Sequence, residues 1–230
     1  MPRSRWPLQD LLRRLRKHYG PPPPLPSTDP FELVLWESCA YLVDDARRAR
    51  VYARLVAATK ARPAQIAGMQ TMALAALIEK DGGMGPVRRA EKLQSAANLV
   101  IQWGQAELRR LCSEEPERAR KLLKQFLGIG NPGADRLLMI AGGKRTLAPE
   151  SNGLRVLCRL GFGVLHARYE KTYASVTAAT APEQPKTPEG LMQAHLLLRH
   201  HGKTLCKAGV PRCAECPLAE RCPSAQWAGA

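Results

Sequence analysis

CKAGVPRCAECPLAERC, residues 206–222, holds four of the chain's seven cysteines, Cys206, Cys213, Cys216 and Cys222, with six, two and five residues between them. Pro211 and Pro217 interrupt the stretch, and little in it could form a core, so something other than packing has to fix its shape. Four thiolates converging on one metal centre would do so, whether in an iron-sulfur cluster or a structural zinc site. The short step from Cys213 to Cys216 puts two ligands on one side, and Cys206 and Cys222 close the centre from either end. Two disulfides are the alternative, but they need an oxidising compartment, and the sequence opens without a secretory signal's apolar run. A metal centre in a reducing cytoplasm is the expectation, with iron-sulfur and zinc both open on spacing alone. The other cysteines, Cys39, Cys112 and Cys158, sit in apolar helical contexts and read as buried free thiols.

Outward from that stretch, GLMQAHLLLRHHGKTLC (190–206) is a helix that delivers the first cysteine, after a proline-rich loop at 181–189. His195, His200 and His201 lie on it, and with four thiols at hand they read as packing or supporting residues rather than ligands. TLAPESNGLRVLCRLGFG (146–163) places Pro149, Glu150, Ser151 and Asn152 ahead of a helix carrying Arg155 and Arg159. These residues suit a helix cap, and they also fix a carboxylate at a helix start. In LKQFLGIGNPGADRLLMIAG (123–142) a helix ends at a tight turn with Gly128 and Gly130 about Ile129, and another begins at Pro132. That pattern is a helix-hairpin-helix, whose glycines and free N–H groups can approach a phosphate without reading sequence.

Lys and Arg number 35 against 20 Asp and Glu, a net charge of +15. A polyanion is the partner this favours, nucleic acid before an anionic membrane surface. No apolar run approaches the roughly eighteen residues of a spanning helix. Residues 7–19 form an amphipathic helix with Leu8, Leu11, Leu12 and Leu15 on one face, ended by PPPPLP at 21–26. FELVLWESCAYLV (31–43) follows Asp29 and Pro30 and is apolar nearly all round, which predicts a buried helix with Glu37 inside it. Such a carboxylate is either paired with an arginine or used in chemistry. Asp44 and Asp45 cap the next helix, a single helix is predicted over 64–80, and DGGMGPVRR (81–89) breaks the pattern. Helical periodicity returns over 90–103 and 117–126. No stretch alternates as a half-buried strand does, so the chain is predicted to be all-helical.

The hairpin and the cysteine tail together resemble the endonuclease III and adenine glycosylase branch of the helix-hairpin-helix DNA glycosylases, over nearly the whole chain. PFELVLWESCAYL (30–42) matches the family's buried helix, LGIG (127–130) its hairpin, and HLLLRHHGKTLC (195–206) its approach to the cluster. The resemblance implies two helical domains flanking a DNA-binding cleft: residues 1–22 with 143–230 as the cluster domain, and 23–142 as a six-helix domain with the hairpin. It implies a 4Fe-4S cluster on Cys206, Cys213, Cys216 and Cys222, and a monomer acting on double-stranded DNA in the cytoplasm, at the nucleoid in a bacterial cell.

At the catalytic positions the chain departs from that pattern. Bifunctional members carry a lysine after the hairpin that attacks the sugar through a Schiff base; Pro132 stands there, which excludes lyase chemistry at that position. Glu150 occupies the place of the aspartate that stabilises the sugar cation. Glu37 matches the glutamate with which adenine glycosylases protonate the departing purine, a role suited to a buried carboxyl. ESNGLRVLCR (150–159) is similar to their D-G-N-x-x-R-V-x-x-R, and GGMG (82–85) to their G-L-G turn, making Met84 a wedge into the base stack. Tyr41 and Leu42 replace the paired glutamines that face the opposite base. Set beside the adenine glycosylases, the sequence after Cys222 is expected to lack the domain that recognises oxidised guanine. The implied activity is hydrolytic excision of a damaged or mispaired base, with Gly128, Ile129 and Gly130 on the phosphates and Lys207 and Arg212 presented to the backbone. A protein of this scaffold that binds DNA without chemistry is the alternative.

Overall fold

The computed structural model describes residues 5–225. Among them are twelve α-helices, two three-residue 3-10 turns and no strand. In chain order the helices are α1 (Leu8–Tyr19), α2 (Pro30–Ser38), α3 (Asp45–Thr59), α4 (Pro63–Gly68), α5 (Thr71–Glu79), α6 (Pro86–Trp103), α7 (Gln105–Glu114), α8 (Pro116–Leu123), α9 (Asn131–Ile140), α10 (Ser151–Arg159), α11 (Tyr169–Thr180) and α12 (Pro188–Thr204). No helix among the described residues is long and apolar enough to cross a membrane. They divide into two compact units, residues 25–130 and residues up to 24 together with those from 131 onward.

The contiguous unit is built round α6, which packs against α2, α4, α5 and α7. Its inward face is Ala90, Leu93, Ala96, Ala97 and Val100, small residues interleaved with larger ones so that neighbours approach closely. Helix starts follow the sequence. Asp29 accepts from the Glu32 N–H (3.0 Å) ahead of Pro30, and Asp44 accepts from the Arg47 N–H (2.8 Å).

The predicted helix over 64–80 is in fact two, broken at Met69 and Gln70. Gln94 of α6 explains the break: its amide donates to the Met69 carbonyl (2.7 Å) and accepts from Thr71 Oγ1 (2.8 Å). Counting both pieces, this unit holds seven helices, α2 to α8. Among them is α7, which the sequence reading leaves unassigned; Leu108, Leu111 and Cys112 form its buried stripe.

In the other unit α10 and α12 are the central pair. Glycine makes that pairing possible, because a Cβ on Gly202 would stand 2.7 Å from the Asn152 carbonyl oxygen. α1 lays its fully buried Leu8, Leu11 and Leu15 on α12. The segment before α1 is clasped by Glu183, which accepts from Arg5 Nη2 and the Leu8 N–H, both at 2.7 Å. Arg5 lies 3.9 Å above the Phe162 ring, and Trp6 is stacked between the guanidinium groups of Arg14 (3.7 Å) and Arg221 (4.4 Å). α9 packs on α11 and α12, so the division falls at Gly130, where the expected boundary stands at 142.

Candidate active site and metal centre

Cys206, Cys213, Cys216 and Cys222 line one cavity of about 250 Å³, together with Val156, Leu160, His201, Leu205 and Pro211. None of the four is in a disulfide. Burial pushes the Cys216 thiol up to about 11, and Cys222 rises for the same reason, with further upward push from the neighbouring cysteines. As thiolates the four would repel one another across an apolar cavity, the situation a cationic centre relieves.

Among the described residues no three His, Cys, Asp or Glu side chains close on a point as they do round a single ion. α10 holds the loop through two arginines one turn apart. Arg155 donates to the carbonyls of Cys206 (3.0 Å) and Gly202 (2.7 Å); Arg159 donates to the Lys207 carbonyl (2.7 Å) and reaches Cys206 Sγ (3.5 Å).

The histidines of α12 take supporting places. Fully buried His201 has Nδ1 2.9 Å from Tyr19 Oη and Nε2 3.7 Å from Cys216 Sγ, and burial lowers it to about 4. His195 Nδ1 meets the Ala148 carbonyl at 3.2 Å, and His200 packs edge-on against Tyr19.

Glu150 is the N-cap of α10. Its Oε1 accepts from the Gly153 N–H (3.0 Å) and its Oε2 from Asn152 Nδ2 (2.8 Å). Asn152 Oδ1 in turn accepts from Arg155 Nη2 (2.9 Å). The carboxylate is thereby fixed at a helix N-terminus, where the macrodipole favours negative charge, and is linked through two side chains to the backbone of the cysteine loop. Elsewhere in this unit, buried Asp135 of α9 accepts from the Tyr173 hydroxyl (3.2 Å) and pairs with Lys144 (2.8 Å). Nothing in the sequence pattern singles out this trio, because its members lie on α9, on α11 and in the loop between α9 and α10.

In the contiguous unit Glu37 stands at the last turn of α2. It is not buried as the apolar run predicts: its side chain is 35% exposed and faces Arg48 of α3 at 3.8 Å. Arg48 also donates to the carbonyls of Trp36 (3.1 Å) and Glu37 (3.3 Å). The sequence reading of an arginine-paired carboxylate therefore describes its resting state.

Tyr41, Leu42 and Met84 are 57%, 74% and 69% exposed, the profile of an apolar surface tip. The hairpin turn has Gly128 at φ +88° and the Ile129 N–H bonded to the Phe126 carbonyl (3.0 Å). Lys92 of α6, which the sequence reading passes over, brings its ammonium to this turn, 3.4 Å from where a Gly128 Cβ would lie. Pro132 is buried in the first turn of α9.

Sequence comparison finds endonuclease III of Bacillus subtilis (strain 168), 28% identical over 138 residues, which is 60% of this chain and 57% of that protein. It also finds the adenine DNA glycosylase of Mus musculus, 29% identical over 164 residues, 69% of this chain and 30% of that protein. The chain thus spans little more than half the length of the first relative and less of the second. No family model matches. The fold is similar to that of endonuclease III in a non-covalent DNA complex, with a TM-score of 0.72 at 23% identity over 96% of this chain and 95% of that one. A thermostable thymine-DNA glycosylase aligns with a TM-score of 0.71 at 17% identity over 96% of this chain and 95% of that one. These are the proteins whose motifs the hairpin and the cysteine tail resemble, and the all-helical fold is theirs.

Proposed function

We propose that this chain is a monofunctional DNA glycosylase of base excision repair, hydrolysing the N-glycosidic bond of a damaged or mispaired nucleotide in double-stranded DNA. The observation that carries the reading is Glu150, an acid at the family's aspartate position, immobilised by the Gly153 N–H and Asn152. Held there as a carboxylate, it stabilises positive charge on the sugar as the base departs, and water then adds at the anomeric carbon. Pro132 offers no amine, so release ends at an abasic site rather than a strand break.

Glu37, in the other unit, is the group assigned to the departing base. Arg48 stands 3.8 Å from it, so contact with the base requires that pair to open. Gly128, Ile129, Gly130 and Lys92 contact phosphates, and Tyr41, Leu42 and Met84 fill the gap left by the extruded nucleotide.

A 4Fe-4S cluster fits the four cysteines. All four line the same cavity, which supports one shared centre for them. When bound, the cluster supplies a cross-link that gives the 206–222 loop a fixed shape and presents Lys207 and Arg212 to the DNA backbone.

A second reading, binding without chemistry, draws on the same residue. Both oxygens of Glu150 already accept hydrogen bonds, as they would in a purely capping role. The deciding experiment incubates the protein with duplexes bearing alkylated, deaminated, oxidised or mispaired bases and cleaves the products with alkali. Base release that Glu150→Gln and Glu37→Gln each abolish is the expected result. Tight binding with no release on every duplex establishes the second reading instead.

A further inference from the structure

The exposed tip formed by Tyr41, Leu42 and Met84 comes from two loops far apart in sequence, residues 39–44 after α2 and residues 80–85 before α6. A parallel bridge between Tyr41 and Gly83 joins them, with the Tyr41 N–H donating to the Gly82 carbonyl at 2.8 Å. Because the bridge is parallel, Leu42 and Met84, each the next residue, run side by side.

Neither loop is relaxed. Leu42 has φ +56° and Asp81 φ +67°, left-handed conformations that L side chains adopt at a cost of about 1 kcal/mol or more. The glycines are there for access. A Cβ on Gly83 would stand 2.1 Å from the Tyr41 carbonyl oxygen, and one on Gly82 2.4 Å from Arg89 Nη1.

Beneath the bridge lies Arg89 of α6, only 4% exposed. Its acceptors are four backbone carbonyls: Nη1 donates to Cys39 and to Ile78 (3.1 Å), Nε to Met84 (3.0 Å) and Nη2 to Gly83 (3.1 Å). One guanidinium thus spans the end of α2, the end of α5 and both residues of the second prong. A rigid fork with five donors can do this; an ammonium cannot. A buried cation offered to carbonyls rather than to a carboxylate is an expensive device, which argues that it fixes a geometry rather than merely filling space. From the outside, Arg50 and Arg54 of α3 hold Asp81 at 2.9 and 3.2 Å, so the second loop is gripped on two sides.

We infer that Arg89 is a positioning residue: it locks Tyr41, Leu42 and Met84 into one two-pronged wedge, so that both prongs enter a base stack together. The inference rests on the DNA reading above, and its test separates the two.

The full chain and its Arg89→Lys, Arg89→Gln and Met84→Ala variants are compared by thermal melting, by deuterium exchange of the Tyr41 amide in free protein, and by binding to a duplex with 2-aminopurine beside an abasic-site analogue. Arg89→Lys is expected to melt cooperatively with unchanged helicity, to exchange the Tyr41 amide at least about tenfold faster, and to lose most of the 2-aminopurine fluorescence rise, as Met84→Ala does. Affinity for undamaged duplex, carried by phosphate contacts, stays within about twofold.

Unchanged Tyr41 exchange in both Arg89 variants, or a fluorescence rise that they keep, overturns the assignment to Arg89. Absence of any rise with the unaltered chain overturns the DNA reading itself, while the exchange measurement still reports on the clamp. If neither Arg89 variant folds, Gly83→Ala decides, since its Cβ forces apart the bridge that Arg89 holds through the Gly83 carbonyl while the arginine itself stays in place. Retention of the rise in that variant overturns the inference.

Discussion

The proposed function gives the Glu150 carboxylate a second task beside the helix cap it forms, and substitutions separate the two. Gln keeps a carbonyl oxygen for the Gly153 N–H, whereas Ala removes the cap. Glu150→Gln is therefore expected to melt within about 0.5 kcal/mol of the parent, and Glu150→Ala to lose about 1 kcal/mol. Base release should fall a hundredfold or more in both, by about 3 kcal/mol of transition-state stabilisation, measured as single-turnover rates on the preferred duplex. A Glu150→Gln protein with undiminished release would remove the residue from the chemistry. The role of Glu150 as a cap is legible in the order Pro-Glu-Ser-Asn before an amphipathic run. Its link to the cysteine loop through Asn152 and Arg155 is not, because hydrogen bonds from Arg155 to residues 202 and 206 depend on how α10 and α12 pack. Glu37 shows the opposite error. An apolar run makes it look buried, yet it sits at the final turn of α2, where the chain leaves the helix and Arg48 comes within reach.

Among elements, the segment leading into α1 is one that a charge holds, while α1 itself is docked by Leu8, Leu11 and Leu15. Arg5 and the Leu8 N–H hold the Glu183 carboxyl below its ordinary range. A depressed carboxyl contributes stability above its ordinary value of 4.5 and loses it as pH falls towards the folded value. Loosening of the segment before α1 should therefore begin below about pH 4.5, read as exposure of Trp6 fluorescence to quencher. In Glu183→Gln the quenching should already be high at neutral pH and nearly flat below it.

The helices found correctly from sequence are those with strong caps or a wide apolar stripe, such as α1, α3 and α12, whereas α2 stops at Ser38, short of the 43 that its apolar run predicts. Those left unassigned, α7 and α11, have narrow stripes among polar residues; α11 buries Thr172 and Thr180 beside Tyr173 and Val176, a pattern that propensity alone does not favour. The break between α4 and α5 is equally invisible locally, since the residue that enforces it, Gln94, is on α6.

For the molecule as a whole, two features set its chemistry: the cysteine cavity and the net charge of +15. Protein purified anaerobically should be brown, with four irons and four sulfides per chain. Cys216→Ala should be colourless, with nearly unchanged helicity, because the loop contributes only two three-residue turns. Trypsin should then cut rapidly at Lys207, Arg212 or Arg221. Stoichiometric zinc in colourless, trypsin-resistant parent protein would refute the cluster.

Binding to undamaged duplex should weaken steeply with salt, and Lys92→Ala should reduce the slope of log K against log salt by about 1, equally for all sequences. An unchanged slope would take Lys92 off the phosphates. The four cysteines and the hairpin glycines are readable because short local spacings carry them. Lys92 is not, because its nearness to Gly128 arises only when the chain has folded back on α6.

The discontinuous make-up of one unit has an outcome during synthesis on the ribosome. Residues 25–130 can close as soon as they emerge, but α1 must wait for α12, with Leu8, Leu11 and Leu15 bare to the cytosol for on the order of ten seconds at about 5–20 residues per second. A nascent chain stalled near residue 150 should accordingly hold a native middle and a leading helix still captured by chaperones.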